Sequence, residues 1–210
     1  MPELPEVEVV KRSLNNKALN LIIKSVKIND GRLRYKIDKN QIKNIIGLRL
    51  EKILRRSKFL LFFFSKDVVM LIHLGMTGKL FFINQKNIKY KTSFYYDVNE
   101  EKDKKHNRVI FSLSQGQKII YNDVRKFGFI KFLSKINLYQ NFHLKNLGPE
   151  PLNKKFNFIY FKKYIFERNR KTKDLLMDQK FVSGLGNIYV NEILFFSGVK
   201  PTKKIQNLLD

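Results

Sequence analysis

The spacing of apolar positions changes near residue 135. Before it, short apolar runs alternate with Gly, Asn, Asp and Ser turns, a pattern typical of β-strands. The predicted strands cover residues 21–28, 45–56, 58–64, 68–75, 79–83, 108–113, 118–123 and 127–133. One helix is predicted ahead of them, from Pro5 to Asn15. Many short strands with few helices indicate a sandwich or a barrel.

The later part of the chain has helical spacing instead. Apolar residues recur at three and four positions within 157–169, and shorter helices are predicted over 173–181 and 187–196, with Gly198 as a stop. The segment LGPEPLN leads into them as a proline-rich hinge. We therefore predict an α+β protein with a β-sandwich domain at 1–134, a hinge at 135–152 and a helical domain at 153–210.

The net charge of the chain indicates which kind of molecule it binds. The 210 residues include 42 Lys plus Arg against 18 Asp plus Glu, a net charge of +24, which favours nucleic acid first and an acidic membrane surface second. An AT-rich genome also produces a composition rich in Lys, Asn and Ile. Part of the positive charge is therefore not counted as evidence for a binding partner. The longest apolar stretches, 59–64 and 68–74, are too short to span a bilayer, and a soluble cytoplasmic protein is expected.

The opening residues MPELPEVE concentrate carboxylates in a basic chain. Helix chemistry is one explanation, because carboxylates favour a helix N-terminus. The alternative depends on Pro2. Removal of Met1 would expose its nitrogen as a secondary amine. An α-amino group titrates near about 8, so part of it is neutral at pH 7 and can attack an electrophilic carbon. Glu3 could then transfer the proton.

Lys58, Met76, Arg125 and Phe127 lie in or beside turns between apolar runs, and each has two interpretations. Lys58 is a surface lysine at a strand edge, or a cation beside a catalytic carboxylate and a phosphate. Met76, at the tip of a tight hairpin in HLGMTG, fills the core, or wedges into a base stack. NDVRKFG is an ordinary turn with one core Phe, or it places Arg125 and Phe127 on one side of an extended strand to fill the hole left by an extruded base.

The segment FVSGLGNIYVNE places Gly184 and Gly186 at the start of a helix. A plain glycine turn with Asn187 as the helix cap is one interpretation. In a chain this basic, with Lys173 upstream in the same helical unit, a phosphate clamp formed by Lys173 and Asn187 is favoured.

Six segments together resemble bacterial formamidopyrimidine-DNA glycosylase, the 8-oxoguanine repair enzyme. They are, in chain order, MPELPEVE, RRSKFLLF, HLGMTG, NDVRKFG, LGPEPL and LLMDQKFVSGLGNIYVNEILF. The resemblance implies an N-terminal β-sandwich, a helix-two-turn-helix domain, and a monomer acting on damaged double-stranded DNA. It implies a glycosylase and abasic-site lyase for oxidised purines, used in base-excision repair and found in the cytoplasm on nucleoid DNA.

The same resemblance implies roles for individual residues. Pro2 would be the nucleophile that forms an iminium with the sugar, Glu3 the general acid and Glu6 its support. The residues that would contact DNA phosphate are Lys58, Lys173 and Asn187. The residues that would fill the gap left by the flipped base are Met76, Arg125 and Phe127.

Two features depart from the family pattern. Val124 and Lys126 replace a proline and an arginine of its DPRRFG motif, while Arg125 and Phe127 are kept. There is no cysteine, so the family's four-Cys zinc finger is absent and no cofactor is expected. We expect activity on 8-oxoguanine to be reduced or lost, and abasic-site lyase activity to be better retained. The first alternative is a non-catalytic remnant that binds damaged DNA. A basic RNA-binding protein is a much less favoured alternative.

Overall fold

A computed structural model describes residues 2–93, 104–166 and 168–208. The chain divides after Tyr139 into two compact units, residues 1–139 and 140–210. Each unit has its own hydrophobic core.

The first unit begins with helix α1, Leu4–Ala18, which confirms the helix predicted from the sequence. Val7, Val10, Leu14 and Ala18 are buried, and their spacing of three and four residues places them on one helical face. This face packs into the core of the unit, and so it also fixes where the residues just before Leu4 lie.

The described part of the first unit contains nine strands in two antiparallel sheets, ordered β1-β7-β8-β5-β6 and β2-β3-β4-β9. Their bounds are β1 Ile23–Ile28, β2 Leu50–Arg56, β3 Phe59–Phe64, β4 Val68–His73, β5 Gly78–Ile83, β6 Lys89–Lys91, β7 Asn107–Leu113, β8 Lys118–Asp123 and β9 Phe129–Ser134. Side chains of both sheets and of α1 share one core. The predicted sandwich is confirmed.

Two connections cross from one sheet to the other at the same end of the sandwich. β4 pairs with β9 and β5 pairs with β8, so His73 lies opposite Phe129 and Gly78 lies opposite Asp123. The β4–β5 and β8–β9 turns therefore leave the sandwich side by side. The expectation that HLGMTG is a tight hairpin is wrong, because its flanking strands belong to different sheets.

Short elements escaped prediction because a few residues carry too little periodicity. Helix α2, Lys39–Lys43, is capped by Asp38, whose side chain accepts the backbone N–H groups of Asn40 and Gln41. Strand β6 is also short, and there are single 3-10 turns at Ser114–Gly116, Leu138–Gln140 and Ile205–Leu208.

The second unit, where described, is helical: α3 Phe158–Ile165, α4 Thr172–Leu176 and α5 Asn187–Phe196. The predicted helix over 173–181 is wrong in its second half, because α4 ends at Leu176. There Asp178 accepts the Lys180 backbone N–H at 3.0 Å, and a side chain that bonds its own backbone favours a turn over a helix. Sheets followed by helices confirm the α+β class. No helix within the described ranges is long and apolar enough to cross a membrane.

Candidate active site

Two carboxylates, Glu3 and Glu6, lie at the start of α1, directly after Pro2 in the chain. Glu3 precedes the helix and is only 1% exposed, and its backbone N–H donates to Glu6 Oε2 at 2.8 Å. This bond is one half of a capping box and explains Glu6 as a helix-capping residue that holds the backbone of Glu3. It does not explain why Glu3 is buried, since a carboxylate that serves only a helix end can stay in water. Pro2 is half-buried, and Met1 lies outside the described residues.

Lys58 lies in the two-residue turn between β2 and β3 and is 7% exposed, so it is not an ordinary surface lysine. Burial lowers the pKa of Lys58, and the charges of Glu3 and Glu6 oppose that shift. The ammonium group therefore lies within the electrostatic field of both N-terminal carboxylates. The fold thus brings Lys58 close to Glu3 and Glu6, and Glu3 is the residue that directly follows Pro2.

An ion pair between α1 and β2 positions this turn. Glu8 Oε2 accepts a hydrogen bond from Arg55 Nε at 2.8 Å, and the Arg55 guanidinium donates to the Ser57 carbonyl at 3.0 Å. Ser57 has a φ of +55°, and Lys58 follows it directly. Burial raises the pKa of Glu8, but hydrogen bonds from Arg55, Lys11 and Arg12 outweigh it and lower that pKa to about 2. Neither Glu8 nor Arg55 was among the site residues predicted from the sequence.

The β4–β5 and β8–β9 turns expose the residues that the sequence singled out. Met76 is 44% exposed and Phe127 is 45% exposed, so neither fills the core. The Arg125 guanidinium lies 4.5 Å from the centre of the Phe127 ring. Their contact does not come from an extended strand, as expected, because Lys126 between them has a φ of +60°. A turn brings the two side chains together instead.

The two turns touch through their backbones. Gly75 has a φ of +62°, and a Cβ atom there would lie 2.5 Å from the Gly128 backbone nitrogen. Asp123 is fully buried beside this contact. Its carboxylate accepts hydrogen bonds from the Thr77 hydroxyl at 2.6 Å and from the Gly128 N–H at 2.9 Å. Met76 and the Arg125–Phe127 pair are thus presented by one packed cluster.

A cavity of about 610 Å³ lies at these turns, lined by Arg34, His73, Gly75, Met76, Arg125, Lys126 and Phe127. His73 is a lining residue that sequence reasoning missed, although it directly precedes the β4–β5 turn. Its ring stacks on Phe129 at 5.5 Å, and its Nδ1 accepts the Gly75 N–H at 3.1 Å. Because Nδ1 is an acceptor, a neutral ring carries its proton on Nε2.

The second unit contains Lys173 in α4 and Asn187 at the first position of α5. The interpretation of Asn187 as the helix cap is wrong, because Gly186 is the residue before the helix and Asn187 is exposed. Gln179 shapes the preceding loop, since its Oε1 accepts the Gly184 N–H and its Nε2 donates to the Leu185 carbonyl, both at 2.8 Å. Asn187 therefore keeps its amide available for a ligand.

Both units match described domain families. Residues 1–130 match the formamidopyrimidine-DNA glycosylase N-terminal domain, and residues 147–210 match the formamidopyrimidine-DNA glycosylase H2TH domain. The chain belongs to the formamidopyrimidine-DNA glycosylase family. The predicted resemblance is confirmed, and the helices of the second unit form the helix-two-turn-helix domain of this family.

Curated relatives carry the family name over the full length of this chain. The formamidopyrimidine-DNA glycosylase of Rickettsia felis is 38% identical over 210 residues, which are 100% of this chain and 71% of that protein. The formamidopyrimidine-DNA glycosylase of Rhodopseudomonas palustris is 35% identical over 208 residues, 99% of this chain and 71% of that protein.

Solved structures of the Lactococcus lactis family member share the fold. Its complex with DNA containing an abasic site has a TM-score of 0.82 and 30% sequence identity, covering 96% of this chain and 70% of that one. The inhibited enzyme with DNA containing N7-benzyl-Fapy-dG also has a TM-score of 0.82 at 30% identity, with 97% and 70% covered.

The zinc site expected for the family does not fit the residues present. The 210 residues include no cysteine. Within the described ranges, no three His, Asp or Glu side chains group together in a way that could hold a metal ion. No step proposed below uses a metal.

Proposed function

We propose that this chain is a DNA glycosylase and abasic-site lyase that removes oxidised purines from double-stranded DNA as a monomer, through an imine of Pro2. The observation that carries the proposal is the N-terminal cluster: Glu3 is buried next to Pro2, and Lys58 is buried in the field of Glu3 and Glu6. Family membership and the relatives' names support the substrate class.

The proposed reaction gives separate roles to Pro2, Glu3 and Lys58. With Met1 removed, the neutral Pro2 nitrogen attacks the anomeric carbon of the damaged nucleotide, and the base leaves with the bonding electrons. The proton released by the Pro2 nitrogen passes to the Glu3 carboxylate, which donates it to the ring oxygen as the sugar opens, giving an iminium. Loss of a C2′ proton then expels the 3′ phosphate, and water hydrolyses the iminium to return Pro2. Lys58 neutralises phosphate charge near the reacting sugar.

The other residues serve binding and base extrusion. Met76, Arg125 and Phe127 are exposed on adjoining turns and would fill the space of the flipped nucleotide. Lys173 and Asn187 in the second unit would contact the DNA backbone.

Borohydride trapping tests the proposal, after intact mass has shown that Met1 is removed. The purified chain is incubated with a duplex holding an abasic site and with one holding 8-oxoguanine opposite cytosine. We expect a covalent adduct that Pro2→Gly, which leaves a primary α-amine in place of the proline nitrogen, strongly reduces, and that Glu3→Gln strongly reduces as well.

Lys58→Met is the matched control, because the lowered pKa of Lys58 makes it the competing amine of the site. This variant should still form the adduct, and peptide mapping should place it on the N-terminal peptide. An adduct on Lys58 would overturn the role of Pro2. Tight binding to both duplexes by the Met1-free chain, with no adduct, would instead identify a non-catalytic damaged-DNA-binding protein.

A further inference from the structure

We propose that Asp123 and Thr77 are positioning residues that couple the two exposed turns, so that Met76, Arg125 and Phe127 enter a duplex as one rigid unit. The inference rests on the proposed function, because base extrusion is the step that would use such a unit. Asp123 is fully buried and Thr77 is half-buried, and the proposed role requires neither of them to contact the DNA.

One hydroxyl group links both turns to the buried carboxylate. Thr77 Oγ1 donates to Asp123 Oδ1 at 2.6 Å and accepts the Arg125 backbone N–H at 3.0 Å. The other carboxylate oxygen, Asp123 Oδ2, accepts the Gly128 N–H at 2.9 Å and the Tyr121 hydroxyl at 3.2 Å. The segment from Arg125 to Gly128 is therefore tied at both ends to a cluster that includes the residue next to Met76.

The backbone contact leaves the turns no room to slide past each other. A Cβ atom on Gly75 would lie 2.5 Å from the Gly128 nitrogen, and one on Gly128 would lie 2.5 Å from the His73 carbonyl oxygen. The two turns therefore contact each other directly through backbone atoms, with the Tyr121 hydroxyl and the Asp123 carboxylate packed against Gly128. A displacement of Met76 must move Phe127 as well.

The chemistry of the link points to a need for rigidity. Burying a carboxylate is costly even when it is hydrogen-bonded, and apolar packing can join two turns at lower cost. A carboxylate with three donors fixes geometry more narrowly than apolar contacts do. Side chains held in place before binding lose less conformational entropy when they insert into DNA.

Thr77→Val tests the coupling, because it keeps the shape of the side chain and removes the shared hydroxyl. Thr77→Ser keeps the hydroxyl and should restore wild-type behaviour. Thr92→Val is the structural control: its buried hydroxyl donates to the Leu80 carbonyl, and it has no bond to either turn. The readouts are affinity for undamaged duplex, fluorescence of 2-aminopurine next to an abasic site, and the single-turnover cleavage rate.

We expect Thr77→Val to lower the 2-aminopurine response and the cleavage rate by about tenfold, the effect of one lost buried hydrogen bond. Its affinity for undamaged duplex should stay within about twofold of wild type, because phosphate contacts dominate that affinity. Thr92→Val should leave both insertion readouts unchanged.

Double-mutant cycles separate coupling from a general loss of structure. In the wild-type background, the effects of Met76→Ala and Phe127→Ala on cleavage should be strongly non-additive, and in Thr77→Val they should become additive. Additive effects in the wild type, or wild-type insertion by Thr77→Val, would overturn the coupling alone. A wild-type chain that binds the lesion duplex without any 2-aminopurine response would overturn base extrusion, and the coupling with it.

Discussion

The role proposed for Lys58 has a cost in stability. Burial lowers its pKa, and the attraction of Glu3 and Glu6 only partly offsets the shift. The net direction means that the charged ammonium group is less favourable in the folded chain than in water. Such a penalised charge, held beside two carboxylates, is typical of a functional site.

Lys58→Met should therefore stabilise the protein while it slows strand cleavage. Because the pKa of the folded state lies below the unfolded value, the charged form costs stability at neutral pH, and the cost disappears as pH rises towards the unfolded pKa of 10.5. We expect a melting temperature higher by a few degrees at pH 7, a gain that fades by about pH 10, and cleavage slower by about tenfold or more.

Lys24→Met, on the exposed face of β1, is the control and should change neither property. A lower melting temperature for Lys58→Met would show that the ammonium group acts as a net structural partner of Glu3 and Glu6.

Helix α1 and the β2–β3 turn act together through the Glu8–Arg55 pair. Pro2 and Glu3 directly precede the helix. The turn supplies Lys58, and the Arg55 guanidinium contacts both Glu8 and the Ser57 carbonyl. This pair lies at the junction of the two elements, so its loss should affect both stability and the placement of Lys58.

Glu8→Gln tests this junction through its pH dependence. The pKa of Glu8 falls from 4.5 to about 2 on folding, so its stabilisation is complete above the unfolded value and is lost as pH falls through the folded one. At pH 7 we expect Glu8→Gln to lower the free energy of unfolding by about 2 kcal/mol, a difference that shrinks between pH 4.5 and 2.

Urea denaturation of both proteins from pH 7 to 3 would measure the change. Glu51→Gln is a suitable control, because Glu51 is exposed and its ion pair with Lys135 spans 3.5 Å at the surface. An equal effect of the two substitutions at pH 7 would contradict a special role for Glu8.

The whole molecule carries a net charge of +24, and the formation of its sheets and helices does not depend on that charge. Its distribution over both parts of the chain suits a protein that lies along a polyanion. Codon bias would produce the same composition with no binding role.

Salt dependence distinguishes these explanations. Binding through about six phosphates should lower the affinity for undamaged duplex roughly a thousandfold between 50 and 200 mM salt. Fluorescence anisotropy with a labelled duplex would measure it, and a nearly flat dependence would assign the charge to composition. A lesion duplex should be bound more tightly at every salt concentration with about the same fractional loss, because a salt-independent contribution to binding leaves the slope unchanged.

Local patterns in the sequence determined most of the fold. Alternating apolar runs fixed eight of the strands, the spacing of Val7, Val10 and Leu14 fixed α1, and the change of spacing separated sheets from helices. Predictions failed where a local side-chain bond overrode periodicity, as at Asp178, and where a pattern lacked length, as in β6. The motifs that name the family are also local, so family membership could be predicted.

Tertiary structure alone decided how the site is assembled. Glu8 and Arg55 are 47 positions apart, and Thr77 and Asp123 are 46 apart, so no local pattern reports their contacts. The pairing of β4 with β9 and β5 with β8 brings the two turns together, and the packing of α1 on β2 places Lys58 beside Glu3. Sequence specifies which side chains are present, but burial and hydrogen bonding of groups distant in the chain depend on how strands pair and pack.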